Sequence, residues 1–197
     1  MTVNSESEKL ALRAWFLTHR TRDVLRTCED QIFSEYGLTT EQYAVLSIMK
    51  LLNDPVRVTD LAQWLERSTN SVSMIADRMV KAGLLRRVRD RKDRRVVWLA
   101  ITSKGEEALE PSFKAGLEFI WKNLSHLSYE DKQTLLRLLL TVQYEAAISM
   151  NPEADIDEIK RNETKSHEHF MERLIQAYCP QLLEAKYQGD EKGKTTR

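Results

Sequence analysis

The sequence predicts a mainly helical chain broken once by a short β-hairpin, and three observations carry that reading. Glycine and proline together number 10 of 197 residues, about 5% where roughly 12% is usual, so there are few places for the chain to turn. Apolar residues recur at the helical period along most of the chain and switch to strand-forming runs only between Leu85 and Ile101. A net charge of zero hides a local excess: residues 55–105 hold 12 basic and 5 acidic side chains, while every other quarter of the chain is net acidic. With 42% hydrophobic and 30% charged residues, the composition is that of a folded chain with a core rather than a disordered one. No apolar run approaches ~18 residues, and the opening residues lack a basic segment followed by an apolar one, so neither a membrane span nor a secretory signal is expected. Two cysteines make no disulfide framework, and a reduced, cytoplasmic setting is the expectation.

The elements follow in order. Residues 8–35 form a long helix that ends near Gly37. Thr39 and Gln42 have the spacing of a capping box and open a second helix, with Tyr43, Leu46 and Met49 at helical intervals. Asn53-Asp54-Pro55 stops it, and Val56-Arg57-Val58 is extended. Thr59 is expected to cap a short third helix with Val58, Leu61, Ala62 and Leu65 on one side. Ser68 or Thr69 caps a fourth helix running to about Ala82, which sorts Val72, Ile75, Ala76, Met79 and Val80 from Asn70, Met74, Asp77, Arg78 and Lys81. After Gly83 the hairpin runs from Leu85 to Ile101 around a charged tip at 90–95. Thr102 and Ser128 cap two further helices, to about His126 and Met150, and a tail that is still helical at 156–176 follows.

A short helix, a tight turn and an amphipathic helix make a helix-turn-helix, whose second helix enters the major groove of double-stranded DNA. The hairpin beside it is a wing, and Arg91, Lys92, Arg94 and Arg95 at its tip suit phosphates or a narrow minor groove. Ser68, Thr69, Asn70 and Ser71 are small and polar and let the backbone come close to DNA, at a helix N-terminus that favours phosphate. Asn70 reads either as an adenine-pairing side chain or as a second capping residue, Met74 can touch a thymine methyl, and Arg78 and Lys81 lie toward the phosphates.

Residues 38–105 resemble the winged-helix core of the MarR family of bacterial regulators. The resemblance rests on Gly83-Leu84-Leu85-Arg86-Arg87, on Asp90-Arg91-Lys92-Asp93-Arg94-Arg95, and on Leu99-Ala100-Ile101-Thr102-Ser103-Lys104-Gly105. It implies a DNA-binding transcriptional regulator, most often a repressor, that binds a pseudo-palindromic operator as a homodimer and yields to a small organic acid or aromatic effector. Under that resemblance residues 1–37 and 102–150 are dimerisation helices, 38–101 is the DNA-binding domain, and 151–197 is a helical tail without an assigned role. Met74 stands where many relatives carry a basic residue.

Other chemistry is sparse. Trp15, His19, Arg22 and Tyr43 are an expected effector site, since 15, 19 and 22 share one helix face; packing explains the aromatics equally well. Cys28 reads as helix packing more readily than as an oxidant sensor. Glu163, His167, His169, Glu172 and Cys179 lack metal-ligand spacing, so no metal or cofactor is expected. No phosphate loop or nucleophile elbow is present, which argues against an enzyme. A winged-helix module for protein contact is the alternative function, and four basic residues at the wing tip argue against it.

Overall fold

The structure is a computed structural model that describes residues 5–65, 67–90, 97–153, 155, 160 and 172–180. Its elements run α1 (Glu6–Ser34), α2 (Thr40–Leu51), β1 (Val56–Arg57), α3 (Val58–Trp64), α4 (Thr69–Lys81), β2 (Leu85–Arg89), β3 (Val97–Ile101), α5 (Ser103–Leu124) and α6 (Tyr129–Met150). Two compact units divide the chain within α5, Met1–Gly116 and Leu117–Arg197.

Helix starts in the first unit are fixed by side chains that satisfy the free N–H groups of the first turn. Ser5 and Glu8 form a reciprocal capping box at α1, and Thr39 and Gln42 do so at α2. α3 departs from expectation. Thr59 lies inside the helix and Arg57 stands at its N-cap, because Asp60 reaches back to the Arg57 backbone N–H at 3.3 Å and takes its guanidinium at 3.1 Å. One carboxylate thus closes the helix start and ends β1. Burial raises the Asp60 carboxyl, but the hydrogen bonds and charge of Arg57 outweigh it and hold the group below its ordinary value.

The sheet has the order β1-β3-β2, antiparallel throughout, with Val56 opposite Leu99 and Leu85 opposite Ile101. Strand alternation turns these four side chains to one face, where all are buried. Leu46 and Met49 of α2, Leu61 of α3, Val72 and Met79 of α4 and Leu109 of α5 are buried as well and make up the core with them. Burying each such side chain contributes roughly 1.5–3 kcal/mol, and this core is what fixes α4 against the sheet. Asp54, in the loop after α2, accepts from the Ile101 N–H at 3.2 Å and so ties the end of β3 to that loop.

Thr102 joins the wing to α5. Its hydroxyl donates to the Gly83 carbonyl at 2.6 Å, lies 3.1 Å from the Leu84 carbonyl, and accepts from the Gly105 N–H at 3.1 Å. One side chain therefore caps α5 and pins the turn that leaves α4. The sequence Thr-x-x-Gly at 102–105 is this device.

In the second unit Ser128 and Asp131 cap α6 reciprocally, and α6 buries none of its residues. Leu136, Leu138, Leu139 and Val142 are exposed on it. Residues 172–178 are helical, with Leu174 and Cys179 buried. Most of the helix expected at 156–176, including Glu163, His167 and His169, lies outside the described residues. Among the described residues no helix is long and apolar enough to cross a membrane.

Candidate nucleic-acid interface

α3, a four-residue turn and α4 make the expected helix-turn-helix. The turn is held by the Leu65 N–H on Leu61 O at 2.9 Å and the Arg67 N–H on Ala62 O at 3.0 Å. Ser68 is the N-cap of α4; its hydroxyl accepts from the Ser71 N–H at 3.2 Å. Val72, Ile75, Ala76 and Met79 anchor α4 in the core. The opposite face presents Thr69, Asn70, Met74, Asp77, Arg78 and Lys81 to solvent. Met74, at 68% exposure, is the most open large apolar side chain of this unit's helix-turn-helix.

These positions differ in what they leave free. The Ser68 hydroxyl and the Ser71 N–H are taken up by the cap, and the Ser71 side chain is half-buried, so the contribution of both is local geometry. The Thr69 and Asn70 N–H groups belong to the first turn and have no acceptor within the helix. The Asn70 amide takes no part in the cap and is without a partner among the described residues.

Three ion pairs lie around this face. Glu41, in the first turn of α2, pairs through one oxygen with Arg67 and through the other with Arg78 Nη2 at 3.3 Å. Asp77 pairs with Arg87 of β2, which ties the wing strand to α4. Behind Arg78 a cavity of about 440 Å³ is lined by Arg26, Asp30, Thr39, Glu41, Gln42 and Ile75. Asp30 accepts from the Thr40 hydroxyl at 2.7 Å and its N–H at 3.0 Å, and these bonds hold its carboxyl below the ordinary range.

The wing carries more than its tip. Arg86, Arg87 and Arg89 of β2 are exposed. At its neck the Trp98 indole N–H donates to Asp90 at 3.2 Å, and the Arg57 guanidinium lies 5.8 Å from the centre of the Trp98 ring. Arg57 and Val88 are the two register partners of Trp98, so all three point to the outer sheet face. Arg91, Arg94 and Arg95 lie outside the described residues, as does Lys92. Sequence reading missed Arg67, Arg87 and the Trp98 neck. The run Arg86-Arg87-x-Arg89 was a visible signal for the strand, whereas nothing local links Glu41 to residues 26 and 37 positions away.

The expected effector residues divide into two places. Trp15 and His19 meet edge to face with ring centres 4.8 Å apart, and Arg22, on the same helix, pairs with Asp23 at 3.0 Å. Tyr43 is not brought to them. It stacks on Phe33 at 4.0 Å, 14 residues beyond His19, or about 21 Å along α1. Burial pushes the Tyr43 phenol up to about 12, with the Glu29 charge adding to it. Burial likewise raises the Glu29 carboxyl, and the charge of Asp30 raises it further. Cys28 is half-buried beside a hollow on α1 lined by Arg20, Asp23, Val24 and Thr27.

A recognition helix with a polar outward face, a basic wing hairpin on a three-stranded sheet and long flanking helices define a winged helix-turn-helix transcriptional regulator. The MarR family profile matches residues 36–96. The Staphylococcus aureus HTH-type transcriptional regulator MgrA is 31% identical over 123 residues, covering 62% of this chain and 82% of MgrA. The chain belongs to the MarR family. Its fold is shared with the Staphylococcus aureus MepR–DNA complex (TM-score 0.62, 21% identity, 66% of this chain and 96% of that one). It is shared equally with an organohalide-sensing transcriptional regulator in its 2,4-dichlorophenol-bound form (TM-score 0.66, 18% identity, 78% and 92%).

Proposed function

We propose that the chain acts as a homodimeric repressor that reads a pseudo-palindromic operator in double-stranded DNA and is released by a small organic acid or aromatic effector. The observation that carries the DNA reading is the outward face of α4, where Asn70 and Met74 stand free between Arg67 and Arg78 and beside the arginines of β2. Asn70 and Met74 read bases; Thr69, Arg78, Lys81 and the wing arginines Arg91, Arg94 and Arg95 hold phosphates; Ser68 and Ser71 shape the helix start.

Residues 1–37 and 102–150 serve dimerisation, residues 38–101 bind DNA, and 151–197 is a tail without an assigned role. Support for dimerisation comes from the apolar side chains that α1 and α6 leave exposed, among them Phe16 at 70% and Leu136 at 60%. Large apolar side chains recurring in the open along each helix suit an interaction surface. A two-fold dimer sets its recognition helices about 34 Å apart, one turn of DNA. The effector reading draws on Trp15, His19 and Arg22, with Tyr43 in a separate patch, and on the relative solved with 2,4-dichlorophenol.

Salt-titrated binding to the DNA beside the protein's own gene tests this reading. Asn70→Ala costs roughly 1–3 kcal/mol on the preferred site and relaxes preference there. Arg94→Ala/Arg95→Ala weakens all sequences and flattens the salt slope by about one unit for each phosphate left without its arginine. Unchanged affinity and slope in both variants leaves the protein-contact module as the better reading.

A further inference from the structure

We propose that Glu41 is an internal phosphate mimic, an anion built into α2 that holds Arg67 and Arg78 in ion pairs which DNA must displace. The inference rests on the DNA-binding reading and adds a residue that opposes it. Arg67 precedes the cap of α4 and Arg78 lies near its C-terminal end, so the two bracket the outward face. Each takes one oxygen of the Glu41 carboxylate. A phosphate group between two guanidiniums offers the same arrangement, with two acceptor oxygens on one anionic centre. Among the described residues no other carboxylate pairs with either arginine.

Glu41 is well placed for this. It sits in the first turn of α2, where the helix dipole favours a negative charge. Its side chain is 29% exposed, against 40% for Arg67 and 67% for Arg78. The arginines thus reach outward while the carboxylate stays behind them, on the protein side. Ion pairs this exposed are weak, so the dense charge of a duplex can displace them. The opposite role is a buttress, in which Glu41 orients the arginines and its removal weakens binding. The two roles predict opposite signs.

The decisive measurement compares wild type, Glu41→Gln and Glu41→Asp on a mixed-sequence duplex long enough for two half-sites, across a salt series. As a mimic, Glu41→Gln binds roughly 2- to 30-fold tighter, the range spanned by removing two exposed ion pairs. Its salt slope steepens by up to about 0.9, since one opposing charge has left the interface. Glu41→Asp keeps the charge on a side chain one methylene shorter, gives up one of the two pairs, and falls between. In an Arg67→Ala/Arg78→Ala background the gain from Glu41→Gln disappears. Affinity equal to or below wild type in Glu41→Gln overturns the proposal, as does a gain that survives removal of both arginines. If Glu41→Gln melts early, Glu41→Asp decides alone, with wild-type affinity counting against the mimic. Failure of wild type to bind any duplex at low salt falls instead on the DNA-binding reading itself.

Discussion

Adding one methyl group at Gly105 tests whether the wing is locked to α5 as tightly as the structure requires. A Cβ there lies 2.4 Å from the Leu84 carbonyl oxygen and 2.8 Å from Ile101 Cγ2. The first obstacle is backbone, and it is not free to retreat. Leu84 O accepts from the Thr102 N–H at 3.1 Å, with the Thr102 hydroxyl also at 3.1 Å. Moving it weakens one or both bonds, at about 1 kcal/mol each, and overpacking Ile101 adds roughly 1–3 kcal/mol. Against this, alanine gains up to about 1 kcal/mol over glycine in helix propensity. The balance for Gly105→Ala is a loss of about 2–3 kcal/mol. For a chain of this length that lowers the melting temperature by roughly 4–12 °C. The control is Gly37→Ala. Gly37 has φ +74° with nothing within 4 Å of the added Cβ, so only backbone strain of about 1 kcal/mol opposes it. Thermal melting followed by circular dichroism separates the two. A Gly105→Ala variant that melts within 2 °C of wild type, or above the Gly37→Ala variant, refutes the reasoning.

Two further outcomes are expected. Glu29→Gln stabilises the protein at pH 7.5 and has no effect well below pH 4.5. The folded carboxyl is raised by burial, so its ionisation opposes folding above the folded pKa, and the penalty vanishes below the unfolded value. Denaturant titrations at the two pH values check this, and an equal effect at both removes the buried-carboxylate explanation. On the proposed dimer reading, Leu136→Glu/Leu139→Glu, at positions 60% and 51% exposed, sediments as a monomer where wild type sediments as a dimer, and binds DNA more weakly. A double variant that still sediments as a dimer places the interface elsewhere.

The sequence alone determined the order of the elements, the helix-turn-helix and the wing strands, because those depend on local physics. The Thr39–Gln42 and Ser128–Asp131 boxes are three-residue signals, and the buried and exposed faces of α4 follow from a period of 3.6. The start of α3 is equally local, since the Asp60 carboxylate three residues on makes Arg57 the cap where a hydroxyl at Thr59 looked sufficient. The charge state of the interface needed the third dimension. A basic block of net +7 reads as open phosphate-binding surface, yet Arg67 and Arg78 are held by Glu41 and Arg87 by Asp77. Tyr43 is expected beside Trp15, His19 and Arg22 because its helix folds back near theirs, but it stacks on Phe33 at the far end of α1. Spacing along one helix says which side chains share a face, and only packing says which turn of the neighbouring helix arrives there. Ion pairs across 26 and 37 residues and a ring stacked on the neighbouring helix are set by how helices meet, and no local pattern encodes that meeting.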